Sequence, residues 1–167
     1  MAYFLFDSTP ALALDFRVQK QRTGPPLIIF ILAGGKSTRM GREKARLPLG
    51  NRSFLQVITE TARELDAPIE VVFDDDSPGC GPLGGIATAF NRFQFESALF
   101  LSCDMPLVTS ELLKKLVEQA QRGRHSFFTE TAHGPGFPMV LPRPSKGLSG
   151  AQIRGKRLSI QYLTRGF

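Results

Sequence analysis

The chain has 167 residues, 42% of them hydrophobic and 22% charged, with 21 Lys and Arg against 15 Asp and Glu for a net charge of +6. That is the size of one globular domain, with a core large enough to stand without disulfides or structural zinc. Cys80 and Cys103 are too few for a disulfide framework and lack zinc-ligand spacing, and no apolar run approaches the roughly 20 residues of a membrane span.

The opening MAYFLF is apolar but lacks a basic n-region and is soon broken by Asp7, Pro10 and Asp15. No signal peptide is expected, and a reducing cytoplasm is the expected location. Residues 1–26 have no clear period and end in the breaker cluster Thr23-Gly24-Pro25-Pro26, so they read as an N-terminal extension, disordered in part. Residues 27–167 read as one domain. Leu27 to Ala33 (LIIFILA) is a continuous apolar run, the pattern of a strand buried on both faces of a parallel sheet. A Gly-rich basic loop follows over 34–52. Ser53 and Gln56 have capping-box spacing, and Phe54, Val57, Ile58, Ala62 and Leu65 recur at helical spacing, which predicts a helix over 53–66.

Residues 69–73 (IEVVF) predict a second strand and Asp74 to Cys80 an acidic turn. Pro82 stands at a helix start, with Leu83, Ile86, Ala87, Phe90 and Phe93 on one stripe. SALFLS, residues 97–102, predicts a third buried strand, and Thr109 or Ser110 caps a helix with Leu112, Leu113, Leu116, Val117 and Ala120 inward. Weaker strands at 125–129 and 137–141 flank a Gly/Pro loop, and a basic helix is expected within 150–164. Strands alternating with helices imply an α/β fold, a Rossmann-like three-layer sandwich with a mainly parallel sheet. Ligands in such sheets bind outside the carboxyl ends of the strands, here the loops 34–52, 74–81 and 103–108.

The charge is unevenly spread. Residues 1–141 hold 15 basic and 15 acidic side chains, so the whole excess lies in Arg143, Lys146, Arg154, Lys156, Arg157 and Arg165. Inside the neutral part, residues 36–52 carry six Lys and Arg against Glu43 alone. A short basic loop suits a compact polyanion such as a triphosphate better than a long duplex. The 14 phenylalanines, several on the apolar stripes of predicted helices and strands, read as core rather than as a base-stacking surface. Neither a specific nucleic acid nor a membrane is therefore an expected partner.

The most informative stretch is LAGGKSTRMGREKARLPLG, residues 32–50. Gly34 and Gly35 after a buried strand let the backbone turn and bring its amides close to a ligand, and Lys36, Arg39 and Lys44 supply cations as phosphate binding requires. A P-loop is excluded, because Phe30 stands where that motif needs its first Gly. The form Gly-Gly followed by Ser-x-Arg-Met-Gly-x-Glu-Lys-Ala resembles the signature of nucleotidyltransferases, most closely the molybdenum cofactor guanylyltransferase (MobA) family. GPLGGI at 81–86 and Ser102-Cys103-Asp104-Met105-Pro106 at a strand end match two further motifs of that family, in the family's order.

The resemblance implies roles position by position. Leu32, Ala33 and Gly34 would contact guanine and ribose through the backbone, and Gly35 and Ser37 belong to the same nucleotide loop. Arg39 and Lys44 would hold the triphosphate and act in catalysis. Asp75, or its neighbour Asp74, would contact the nucleotide together with Gly81, and Asp104 would bind Mg²⁺. The implied fold is of the nucleotide-diphospho-sugar transferase type. The implied reaction is transfer of GMP from GTP to the terminal phosphate of molybdopterin with release of pyrophosphate, and other molybdenum cofactor biosynthesis or insertion proteins are implied partners.

The chain departs from the family pattern in three places. Glu43 replaces the commoner Asp, only one strand fits between the first helix and GPLGGI, and the chain reaches Phe167 before the family's late Asn-containing segment. It therefore reads as short at its C-terminus, with activity impaired by that truncation. The alternatives are another nucleotidyltransferase of the same fold (a molybdopterin cytidylyltransferase or a sugar-phosphate nucleotidyltransferase) and a nucleotide-binding module without turnover. Cys80, Cys103, His125 and His133 read as packing or loop residues, and Phe137-Pro138-Met139-Val140-Leu141 as core.

Overall fold

The computed structural model describes residues 25–34, 44–123, 125–131 and 134–164. The apolar run forms β1 (Leu27–Leu32), with all six residues buried. It is central because β4 (Ile69–Val72) and β5 (Ser97–Ser102) pair with it in parallel, one on each side. Before them come the two-residue strands β2 (Pro48–Leu49) and β3 (Arg52–Ser53), a small hairpin within the loop expected at 34–52. β7 (Gly134–Pro142) runs antiparallel to β5, and β6 (Phe127–Thr131) antiparallel to β7. The sheet order is thus β4-β1-β5-β7-β6, and only β7 opposes the common strand direction.

Alternation along β1 and β5 divides the core in two. Leu27, Ile29 and Ile31 with Leu99 and Leu101 meet α1 (Phe54–Arg63) and α3 (Ser110–Gly123) on one face. Ile28, Phe30 and Leu32 with Ala98 and Phe100 meet α2 (Pro82–Arg92) on the other. Phe30 packs its ring against Phe93, Phe95 and Phe100, with centroids 5.2–5.5 Å apart, which accounts for much of the aromatic content as core. Three layers result. The chain leaves β1 through α1 on one face to reach β4, then crosses by α2 on the other face to β5. The connections therefore diverge at the carboxyl end of β1, the place where open α/β sheets leave a crevice.

Local signals account for most boundaries. Ser53 caps α1 in a full capping box: its side chain accepts from the Gln56 amide at 3.2 Å, and the Gln56 side chain accepts from the Ser53 amide at 2.7 Å. Thr109 caps α3 by accepting from the Leu112 amide at 3.3 Å, whereas Ser110 donates to Glu64 at the end of α1 at 2.7 Å.

Three expectations are corrected. Leu112, expected on the buried stripe of α3, is 42% exposed because it borders an open cleft rather than the core. The expected Gly/Pro loop is largely strand, since Gly134, Pro135 and Gly136 pair with β6. Pairing of β7 with β5 covers Met139–Pro142, so Pro135 lies beyond that ladder, where its missing N–H costs no bond on the β5 side. The single basic helix expected within 150–164 is two, α4 (Lys146–Arg154) and α5 (Ile160–Thr164). α4 closes with Lys156 in a left-handed conformation, φ 54°, which ends helical propagation.

Candidate functional site

The three loops expected to carry chemistry leave the carboxyl ends of β1, β4 and β5, which lie side by side. At β1, the amides of Ala33 and Gly34 both donate to the Val72 carbonyl, at 2.9 and 3.0 Å. That pinches the two strand ends together, and a Cβ on Gly34 would stand 2.3 Å from the Phe73 carbonyl oxygen. Only glycine permits this approach. Leu32 is buried beneath, its carbonyl accepting from the Cys103 amide at 3.1 Å and so fastening the end of β5 to that of β1. Ala33 is half-buried at the mouth. Gly35, Ser37 and Arg39 lie outside the described residues, as does the Lys44 side chain. The Lys44 backbone opens a 3-10 turn, Lys44–Arg46, anchored by the buried Ala45.

At β4 the acidic triplet resolves into separate roles. The Asp76 amide donates to Thr88 Oγ1 at 2.8 Å, and its carboxylate accepts from Arg92 Nε at 3.0 Å, so Asp76 ties the turn to α2. Asp74 is exposed. Asp75 turns inward against the first turns of α2. Its Oδ2 lies 2.9 Å from where a Cβ on Gly84 would stand, and its Oδ1 3.3 Å from the corresponding place on Gly85. The glycines of GPLGGI thus leave the space that the carboxylate fills. Partial burial, followed by the charges of Asp74 and Asp76, pushes its pKa above the ordinary carboxylate value, against the opposing pull of Arg92. Gly81 sits exposed at the head of α2 with φ 56°, and no side chain caps that helix end. The uncapped amides and the helix dipole there favour an anion.

At β5, Asp104 accepts a hydrogen bond from the Ser102 hydroxyl through Oδ1. The Met105 amide returns to Ser102 O at 3.3 Å and the Val108 amide to Met105 O at 3.2 Å, which holds Asp104 on a tight turn above the buried Cys103. An open cleft of about 520 Å³ lies beside it, lined by Phe54, Met105, Pro106, Leu107, Thr109 and Leu112. Phe73, 56% exposed at the end of β4, escapes the sequence reading because an apolar residue closing a strand looks like core in one dimension, and Leu107, in the loop expected at 103–108, is 84% exposed. Asp75 and Asp104 follow strands on either side of β1, whose own end carries Gly34. No three His, Cys, Asp or Glu side chains converge among the described residues. A metal here would take few protein ligands and complete its shell from substrate, as Mg²⁺ does when it bridges carboxylate and phosphate.

The MobA-like NTP transferase domain, as a family pattern, matches residues 29–157. The chain belongs to the MobA-like NTP transferase family. It is 31% identical over 147 residues to a probable molybdenum cofactor guanylyltransferase of Methanothermobacter thermautotrophicus, covering 76% of this chain and 73% of that one. Against several other curated relatives of the same kind the chain spans 50–58% of their length. In fold it resembles the molybdopterin-guanine dinucleotide biosynthesis protein A of Archaeoglobus fulgidus, at a TM-score of 0.64 and 18% identity, covering 83% of this chain and 78% of that one. It also resembles Rv0371c of Mycobacterium tuberculosis H37Rv in complex with manganese, at a TM-score of 0.55 and 18% identity over 76% of each chain. The MobA-like domain therefore has a mixed α/β nucleotidyltransferase fold. No helix among its described residues is long and apolar enough to cross a membrane.

Proposed function

We propose that this MobA-like domain transfers GMP from GTP to the terminal phosphate of molybdopterin, releasing pyrophosphate. The observation that carries the proposal is the convergence of Gly34, the inward-turned Asp75 and Asp104 on three adjacent strand ends, in a chain whose curated relatives are molybdenum cofactor guanylyltransferases. The backbone of Leu32, Ala33 and Gly34 binds guanine and ribose, through carbonyls rather than through the Ala33 and Gly34 amides, which the Val72 carbonyl already holds. Asp75 and Gly81 face the nucleotide from the other wall. Gly35, Ser37, Arg39 and Lys44 hold and orient the triphosphate.

An oxygen of the acceptor phosphate attacks the α-phosphorus of GTP. The new O–P bond forms as the bond from the α-phosphorus to the bridging oxygen breaks, and pyrophosphate carries away that electron pair. The attacking group is already an anion, so no side chain has to remove a proton, and positioning with charge compensation supplies the catalysis. Asp104 would hold Mg²⁺, with manganese as in the mycobacterial complex a chemically similar substitute. When bound, the ion offsets negative charge at the reacting phosphates. Ser102 fixes the Asp104 carboxylate by its hydrogen bond, so the residue arrives preoriented.

The test is pyrophosphate release from each of the four NTPs with molybdopterin supplied. Release with GTP at least tenfold above CTP, ATP and UTP is expected. Preference for CTP makes the domain a cytidylyltransferase. GTP binding without any release makes it a binding module. Either result contradicts the proposal.

A further inference from the structure

The positive charge of residues 142–167 plays no part in the crevice described above, yet the fold returns part of this segment to the end of the sheet where the crevice lies. β7 ends at Pro142 opposite Ser97, the start of β5, and the Arg143 amide donates to Glu96 O at 2.7 Å. α4 therefore begins at the end of the sheet remote from Asp104. α5 packs along β7 and sets the Gln161 amide nitrogen 3.2 Å from where a Cβ on Gly134 would stand. Gly134 starts β7 at the opposite end, the one to which β1, β4 and β5 point. The chain thus climbs back along the α2 face, with α4 packed against α2, and the α4–α5 turn leads into a helix that meets β7 at its Gly134 end.

That turn exposes Arg154, Lys156 and Arg157. None of the three has an ion pair or hydrogen-bonded side chain among the described residues. Arg154, in the last turn of α4, has an ordinary role in offsetting the helix dipole. Lys156 and Arg157 lie beyond the helix and lack that role. Their backbone is closed by two hydrogen bonds of 3.0 Å, Lys156 N–H to Ile153 O and Arg157 N–H to Gln152 O. This is the Schellman pattern, whose left-handed residue favours glycine, and here that residue is a lysine at φ 54°. A cation is held in a conformation that disfavours any side chain, beside two arginines.

We propose that Arg154, Lys156 and Arg157 form an anion subsite for the phosphomonoester of the second substrate. A phosphomonoester carries close to two negative charges at neutral pH, and the planar guanidinium groups suit its oxygens. Gly34 and Asp75 follow β1 and β4 on one side of Asp104, and β7, against which α5 packs, lies on the other, so an anion held by the turn that leads into α5 would approach Asp104 from the flank opposite the nucleotide. The assignment to an acceptor rests on the proposed transfer reaction; the anion subsite itself does not.

The test is titration of the isotope-labelled full chain with phenyl phosphate, with and without GTP and Mg²⁺, followed by amide NMR. Shifts at 154–158 are expected, and Lys156→Gly or Arg157→Ala should each weaken phenyl phosphate by roughly tenfold while leaving GTP affinity unchanged. Lys156→Gly should also raise Tm by about 2–4 °C, which separates lost charge from lost structure. Shifts confined to 34–46, or unchanged affinity in Lys156→Gly, overturn the subsite. Tighter binding of pyrophosphate or of a single-stranded oligonucleotide at the same amides overturns its assignment to the acceptor. Phenyl phosphate binding at the turn in a chain that fails to bind GTP sinks the proposed reaction and leaves the subsite standing.

Discussion

Gly34→Ala tests whether the crevice floor depends on the close approach of β1 and β4. The added methyl would stand 2.3 Å from the Phe73 carbonyl oxygen and 3.0 Å from its carbon. Carbon–oxygen contacts of this kind settle near 3.3 Å, so the strand ends must part by about 1 Å. Both clashing atoms are backbone, and no rotamer change relieves them. Parting also stretches the two hydrogen bonds from Ala33 and Gly34 to Val72 O. Overpacking costs about 1–3 kcal/mol and each weakened hydrogen bond up to about 1 kcal/mol, so a loss of about 2–4 kcal/mol is expected. For a domain of this size that lowers Tm by on the order of 5–15 °C. Gly85→Ala is the matched control, because its methyl meets only side-chain atoms, Leu32 Cδ2 at 3.0 Å and Asp75 Oδ1 at 3.3 Å. It should cost at most about 1 kcal/mol, the better helix propensity of Ala offsetting part of the contact. Thermal and urea unfolding measure both variants, and GTP titration reads the crevice. If Gly34→Ala stays within about 0.5 kcal/mol of the parent and binds GTP equally well, the pinch does not shape the site.

The raised pKa of Asp75 gives a pH-dependent prediction. Its folded carboxyl holds a proton more tightly than the unfolded one, so its contribution to stability is greatest at low pH and is lost as pH rises through the folded value. Asp75→Asn should therefore raise Tm at pH 7, with the gain shrinking towards pH 4, while GTP binding falls at least tenfold; a lower Tm at pH 7 would reverse the sign of that reasoning. On α3, Leu113→Ala should cost about 2–5 kcal/mol in urea unfolding because Leu113 is fully buried. Leu112→Ala should cost under about 1 kcal/mol, since Leu112 borders the open cleft. Equal losses at the two positions would place Leu112 in the core after all.

Much of the fold was legible because local and tertiary signals agree. The run from Leu27 is apolar on both faces and sits at the centre of the sheet. Ser53 and Gln56 form the capping box that their spacing announces. Disagreement arose where neighbours decide. Helical periodicity places Leu112 beside Leu113 and Leu116 but cannot tell that the layer against it stops short. Gly134-Pro135-Gly136 reads as a loop by composition and becomes strand because β6 pairs with it. In the candidate site, Asp104 was legible from a polar turn after a buried strand. The division of labour among Asp74, Asp75 and Asp76 was not, since it depends on Arg92 and Thr88 of α2 claiming Asp76 and on two glycines making space for Asp75. The cationic turn was visible only as charge, because the return of α5 to the Gly134 end of β7 depends on β7 reversing direction.

The central claim is that Asp104 holds the metal through which this MobA-like domain engages a guanine nucleotide. Calorimetric titration of GTP into the full chain, with and without Mg²⁺ and repeated for Asp104→Ala, tests it most directly. The account predicts affinity that falls at least tenfold when Mg²⁺ is withdrawn and an Asp104→Ala variant that no longer responds to the ion. Equal affinity with and without Mg²⁺, or a full Mg²⁺ response in Asp104→Ala, would contradict it.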